Sequence, residues 1–584
     1  MGAEGVIRTA FWLPVGDSAR AAWLHWPTGS RRAGGVVICP PIGFEYTHSH
    51  RTLRAVADRL AESGIPALRI DYLGTGDSPD DSSRPGLVDA WIEDILAAAS
   101  AVSELAGDGP VTIVGLRLGG TLAALAAARG ASRYLLAWSP VVRGTRYVRE
   151  RITISRVAGG DPDSTLEAGG FVLSPATIEG LRAIDLVDLD FGRLDEVLLL
   201  ERDDLPAKAA LPRALAGEGV AHDVRLAAGY QQMMAEPQDT EVPHSAVNDI
   251  VAWIGDRSPE MPSRPVPDLP GPASLLVSDE KNGVVEEWIR TDHSPPLVGV
   301  LTRPAVPSGT GEARPTLLLG NSGSVHHVGP NRVYVEVARA LAALGYSTVR
   351  FDLRNLGESA DPRGGDENHP YPDSAVEDIR RMIEWLRREK GKERVVVAGI
   401  CSGGHAAFHA ALAVADESFV GVVPINPLTF YWEPGMSLAI PSAEQMARDA
   451  GHYKQSLRDP AKWRRLARGE SDIRYITGFV ARWGRDRVRV GVASVLEWTG
   501  VRSRPRLARD LLAVTDRGRR VHFVFSRSDP GYDLLRAEAH GMVGKLRRRG
   551  RLDVSFVEDA DHTFSRSEWR SELIDRLAEA LDLM

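Results

Sequence analysis

Short apolar runs alternate with longer amphipathic stretches over most of this chain. Val36–Cys39 is continuously apolar, Leu53–Ser63 spaces its apolar residues three and four apart, and Ala67–Asp71 is again strand-like. A second helix is predicted over Val88–Ala106 and a third strand over Val111–Gly115. The same order returns later as strand Leu317–Leu319, helix Val335–Leu344, strand Thr348–Asp352, helix Ser374–Glu389 and strand Val395–Gly399. Short apolar runs separated by helices are the pattern of parallel strands buried on both faces, which predicts an α/β fold with mostly parallel sheets. Val284–Arg290 and Leu297–Thr302 read as antiparallel strands leading into the second series.

The recurrence extends to single residues. Gly64 and Gly345, Asp71 and Asp352, and Ser78 and Ser359 each stand 281 positions apart. VTIVGLRLGG at 111–120 matches VVVAGICSGG at 395–404 with an offset of 284. Two diverged copies of one domain are therefore expected, at 1–257 and 276–584. The Pro-rich stretch 258–275 joins them as an extended linker.

Composition narrows the function classes. The 584 residues are 43% hydrophobic and 25% charged, ordinary for a globular protein, and the net charge of −8 gives no pull toward nucleic acid or an anionic membrane. Two cysteines, Cys39 and Cys401, exclude a disulfide scaffold or a cysteine-rich metal site. No long apolar run or signal-like start is seen, so no membrane association and a cytoplasmic location are expected. Neither a phosphate loop, a dinucleotide fingerprint nor a metal-ligand spacing occurs, so no cofactor and no metal are expected. An oligomer is compatible with this composition.

The third strand of the second copy runs into Gly399-Ile400-Cys401-Ser402-Gly403-Gly404 and then a helix. This resembles the nucleophile elbow, G-x-Nu-x-G between strand and helix, of the α/β-hydrolase superfamily. The resemblance implies two tandem α/β-hydrolase domains with helices on both faces of each sheet. It places Cys401 at the nucleophile position between Gly399 and Gly403. Ser402 is the competing register and loses one flanking glycine. The other triad members should follow as acid and then histidine. Asp529, after the strand in 519–535, is the expected acid, with Asp533 as runner-up. His562, in the loop after the strand in 551–565, is the expected base, while Asp559 and Asp561 read as loop-capping. The oxyanion hole should use the Ser402 backbone N–H and one from Gly323 or Ser324. His326, His327 and Arg332 lie just beyond that loop.

In the first copy the elbow reads Gly115-Leu116-Arg117-Leu118-Gly119. A guanidinium stays protonated and cannot attack, and the expected histidine loop, Gly229-Tyr230-Gln231, holds no histidine. His244 falls later, at the start of a helix. Asp203 or Asp204 could still fill the acid slot. This half therefore reads as a pseudo-hydrolase. It is either a folded remnant or a docking domain whose Arg117 binds a phosphopantetheine phosphate or a carboxylate.

The segment from about 427 to 513 is too long for a plain connection and reads as a helical cap. Its aromatics, including Tyr431, Trp432, Trp463 and Trp483, could line an acyl pocket. Its basic run Lys462, Arg464, Arg465 and Arg468 could receive an acidic carrier protein. By resemblance to cysteine-type members such as dienelactone hydrolase, thioesterases and acyltransferases, the leading expectation is cysteine-dependent acyl transfer. An acyl-Cys401 intermediate would form, with an acyl or peptidyl carrier protein as partner in bacterial secondary metabolism. Two alternatives are an ester or lactone hydrolase on the same residues, and a non-catalytic binding protein.

Overall fold

The computed structural model describes residues 5–584 apart from 108, 158–165, 169, 207–208, 279–282, 307–313, 360–366, 434–435, 437–504 and 528. Strands of the first half are β1 (Val6–Val15), β2 (Ser18–Pro27), β3 (Gly35–Cys39), β4 (Ala67–Ile70), β5 (Val111–Leu116), β6 (Tyr134–Trp138), β7 (Glu196–Arg202) and β8 (Ala221–Ala227). They form one sheet in the order β1-β2-β4-β3-β5-β6-β7-β8. β1 and β2 pair antiparallel, as do β2 and β4, and every later pairing is parallel. Helices α1 (Phe44–Glu62), α2 (Leu87–Ala106), α3 (Leu118–Ala128), α4 (Gly144–Val157) and α5 (His244–Gly255) flank it. One apolar layer lies under α2 and α3, around Trp91, Ile95 and Leu122, and another under α1 and α5, around Leu53, Val56 and Trp253.

The second half repeats this plan. Its strands are β9 (Ser274–Ser278), β10 (Val284–Arg290), β11 (Val298–Pro304), β12 (Thr316–Leu319), β13 (Ser347–Phe351), β14 (Val395–Ile400), β15 (Phe419–Ile425), β16 (Arg520–Ser526) and β17 (Leu552–Val557). Their order is β9-β10-β11-β13-β12-β14-β15-β16-β17, the first sheet's order with one more strand at the antiparallel edge. The helices are α6 (Val333–Ala343), α7 (Ala375–Lys390), α8 (Ser402–Ala413), α9 (Arg506–Asp516), α10 (Pro530–Arg548) and α11 (Ser567–Asp582). α7 shows how sequence sets such ends. Glu377 and Asp378 lie in its first turn, Arg387, Arg388 and Lys390 in its last, and Gly391 closes it in the left-handed region at φ 61°.

The stretch between the sheets lies against the first half. Glu260–Met261 pairs with Arg31–Arg32, and Trp26 Nε1 donates to the Arg264 carbonyl at 3.1 Å. The expected cap falls almost wholly outside the described residues, as do Trp463, Trp483 and the basic run 462–468. No helix among the described residues is long and apolar enough to cross a membrane.

α1 begins nine residues earlier than its apolar spacing predicts. The first two turns, FEYTHSHR, are polar and aromatic because they meet polar partners in both halves: Glu45 and Tyr46 bond to Arg117 and Asp71 of their own half, and His50 to Glu358 of the other. Contact between the halves is reciprocal. Arg69 Nη2 donates to both oxygens of Glu358 at 2.8 Å, while Arg350 donates to Asp77 and, at 3.0 Å, to Glu286. Arg69 and Arg350 are 281 positions apart, and so are Asp77 and Glu358. Repeat-equivalent residues thus cross-pair about a pseudo-two-fold axis, as in the isologous interface of a symmetric dimer. His327 bridges Asp77 of the first half at 2.8 Å and Asp352 of its own at 2.7 Å. Its repeat partner, Tyr46, donates to Asp71 at 2.8 Å.

Candidate active site

β14 ends at Ile400 and α8 starts at Ser402, so Cys401 alone forms the tip of the turn, at φ 58° and ψ −117°. That left-handed conformation is costly for a residue with a Cβ and persists where the surroundings impose it. The flanking glycines make the turn possible. A Cβ on Gly399 would lie 2.6 Å from the Gly403 carbonyl carbon, and one on Gly403 would lie 2.6 Å from the Asn321 carbonyl oxygen. The Ile400 N–H donates to Tyr334 Oη at 2.8 Å, which fixes the strand end from α6.

Asp529 lies just after β16 and caps α10, accepting the Gly531 N–H at 2.9 Å. Its other oxygen accepts His562 Nδ1–H at 2.6 Å. That bond sets the tautomer and leaves Nε2 without a hydrogen-bond partner among the described residues, facing Cys401. Burial opposes the charged imidazolium, but the bond to Asp529 and the contact with Cys401 outweigh it and push His562 up to about 10. Asn426, at the end of β15, holds the loop by donating to the His562 carbonyl and to Ser526 Oγ, both at 2.9 Å. Asp561 accepts the Thr563 and Ser565 N–H groups at 3.0 Å and is loop-capping. Asp533 lies in the first turn of α10, and Asp529 alone meets the histidine.

The loop after β12 departs from expectation. The Gly323 N–H donates to Ser402 Oγ at 2.8 Å, so this donor already has an acceptor. Ser402 is thereby a tie between elbow and loop. Ser324 Oγ donates to the Asn368 carbonyl at 2.7 Å. His326 and His327 are buried in the contact between the halves, and Arg332 donates to the carbonyls of Gly76, Ser78 and Asp80.

A cavity of about 820 Å³ opens over Cys401 and His562. Trp432 and Leu428 line it, and Trp432 stacks on Tyr371 with centroids 4.3 Å apart. Tyr431 does not line it: its hydroxyl donates to Asp510 at 2.6 Å and Arg506 stacks on its ring, so the expected pocket role is corrected. Tyr371 itself went unrecognised in the sequence. Burial first and the neighbouring Cys401 second keep its phenol protonated. The opposite wall belongs to the first half, through Phe44, Thr47 and His48 of α1 and the segment 236–239. The signal for this wall was FEYTHSH itself, a polar aromatic run where an ordinary helix start needs none.

The first half's elbow keeps the shape without the chemistry. Arg117 sits at its tip at φ 53° and ψ −120°. Its Nε donates to Glu45 Oε1 at 2.7 Å and its Nη2 to Glu150 at 3.2 Å. Two carboxylates already satisfy this guanidinium, which corrects the expectation that it binds a phosphate or carboxylate ligand. Asp203 fills the acid position but accepts the Gly229 N–H at 2.8 Å and lies within 3.4 Å of the Tyr230 N–H, in the loop that lacks histidine. Asp204 pairs with Arg202 instead, and His244 opens α5.

The family profile described as serine aminopeptidase, S33, matches residues 36–159 and 316–478. The two matches and the two repeated sheets agree in giving the chain a tandem α/β-hydrolase fold. Among curated proteins none matches. Similar solved structures include the esterase Est1E from Butyrivibrio proteoclasticus, 19% identical over 42% of this chain and 98% of that one, at a TM-score of 0.32. The hyperthermophilic esterase of Pyrobaculum calidifontis is 20% identical over 44% and 87%, at a TM-score of 0.31. The serine-type family match corrects the leading expectation. A cysteine-type acyltransferase or thioesterase with a Cys-His-Asp triad is not what this chain is similar to. The sequence at the elbow nevertheless places a cysteine where the family is named for serine.

Proposed function

We propose that the C-terminal domain hydrolyses carboxylic esters or lactones at the elbow facing His562. The observation that carries this reading is the Asp529–His562 pair, whose 2.6 Å bond leaves Nε2 directed at the elbow tip inside a cavity of mixed apolar and polar lining. His562 Nε2 takes a proton from a water over the elbow as that water attacks the acyl carbon, and Asp529 holds the imidazolium that forms. The Ser402 N–H at the start of α8 and the Ser324 N–H of the loop after β12 stabilise the oxyanion. The imidazolium returns the proton to the departing alkoxide. Collapse of the tetrahedral intermediate leaves the carboxylic acid.

The test is hydrolysis of p-nitrophenyl butyrate and of γ-lactones by the full chain, beside alanine p-nitroanilide as a peptidase probe. His562→Ala should lower kcat/KM at least about 100-fold, the range of general-base catalysis. Cys401→Ser, which installs the residue of a serine-type site, should keep or raise the rate on oxygen esters. Ester turnover that survives His562→Ala would sink the assignment.

A further inference from the structure

Arg117 stands where a nucleophile would stand in the first half, yet its side chain is committed to a buried ion pair. Both Arg117 and Glu45 are buried, at 6% and 4% exposure, so removing either leaves an unpaired charge inside the protein. Glu45 lies in the first turn of α1, between Phe44 and the Thr47–His48 pair, and those three line the cavity over Cys401 and His562. A second route reaches the same turn. Glu150 accepts from Arg117 and from Arg151 Nη2 at 3.2 Å, and the Arg151 guanidinium sits 4.7 Å from the Phe44 ring centroid. A third tie extends the wall: His48 Nδ1–H donates to the Met234 carbonyl at 3.1 Å, joining α1 to the segment that carries Pro237 and Gln238 along the cavity. Phe44 and Val325 are repeat equivalents, 281 positions apart, and both face this one cavity.

We infer that the degenerate elbow has become a positioning site for the live one: through Glu45 and Glu150, Arg117 fixes the first turn of α1, and that turn sets how large an acyl group the cavity accepts. Arg117 is a positioning residue and Phe44 the specificity-determining contact. The inference rests on the hydrolase reading only for turnover, since acyl-group size can also be read by binding.

The experiment therefore has two arms on the full chain. Calorimetric titration with methyl ketones from 2-pentanone to 2-undecanone reads acyl-size preference without chemistry, and p-nitrophenyl acetate and decanoate read it with chemistry. Phe44→Ala and Arg117→Met should each shift the long-to-short preference at least about fivefold, with KM for the decanoate moving more than kcat. Arg117→Lys should return most of the preference, because it restores the charge opposite Glu45. A preference within about twofold of wild type in Phe44→Ala and Arg117→Met, on the scale where a methylene or two is felt, would overturn the inference. If Arg117→Met does not fold, Glu45→Gln and Phe44→Ala decide. A wild type that binds no ketone also overturns it. A wild type that turns over neither ester while the ketone preference still shifts overturns the hydrolase reading and leaves the wall in place.

Discussion

His562 carries more charge-stabilising surroundings than an isolated imidazole, and this fixes a measurable pH response. Burial works against the imidazolium, while Asp529 and Cys401 favour it strongly enough to lift the group from 6.5 to about 10. The base works when neutral, so kcat/KM for methyl butyrate should climb with pH and level off near 10. Cys401→Ser removes the sulfur's share and should move the rising limb toward neutral pH, while Asp529→Asn should move it further and slow the reaction at least about 100-fold. An NMR titration of the His562 ring separates the two effects from changes in rate. At this scale the sequence was informative where an atom's role depends on local order. Asp529, His562 and the glycines of the elbow are found by their place after a strand. It was silent where the role depends on a neighbour distant in the chain. Tyr371 beside Cys401, Asn426 beneath the His562 loop and the Gly323–Ser402 bond each join segments that no periodicity connects.

At the scale of elements, the elbow works because strand, turn and helix are packed backbone to backbone. A Cβ on Gly403 would lie 2.6 Å from the Asn321 carbonyl oxygen and 3.0 Å from that of Gly320, so α8 and the loop after β12 are held at a distance that excludes a methyl group. Gly403→Ala should therefore push that loop outward and weaken both the Gly323–Ser402 bond and the oxyanion site. The expected loss is at least about 100-fold in kcat, the scale of a displacement near 1 Å, with a smaller change in KM. Ester kinetics beside a thermal melt check whether the loss comes from geometry or from unfolding. The alternating strands and helices were readable because each element buries a face against its own sheet. α1 shows why a boundary failed. Glu45, Tyr46 and His50 are buried by Arg117, Asp71 and Glu358, partners in loops and in the other half, and such positions look polar in any window of sequence.

For the whole molecule, the internal repeat predicted two domains but not that they meet as a symmetric pair. That property lies in the crossing of Arg69 to Glu358 and Arg350 to Asp77, a relation visible only once both halves are folded and docked. The docking makes the cavity over Cys401 and His562 composite, since its opposite wall comes from the half whose corresponding loop holds no histidine. It also makes the association sensitive to pH. His327 is wedged between Asp77 and Asp352, with Arg350 also on Asp77 and His326 packed beside it. Burial lowers its affinity for a proton, but the two carboxylates outweigh that and raise it to about 10. A histidine whose folded value exceeds its unfolded one contributes stability that is whole below 6.5 and is lost as pH rises toward 10. His562 shifts the same way, so the two must be separated. The melting temperature should fall between pH 7 and 10 in the wild type and in His562→Gln. It should fall less in His327→Gln, which starts lower by the equivalent of about 3 kcal/mol because Asp77 and Asp352 lose their shared cation. If the His327→Gln curve runs parallel to wild type across that range, the clamp between the halves does not titrate, and the composite cavity is held by the arginine cross-pairs alone.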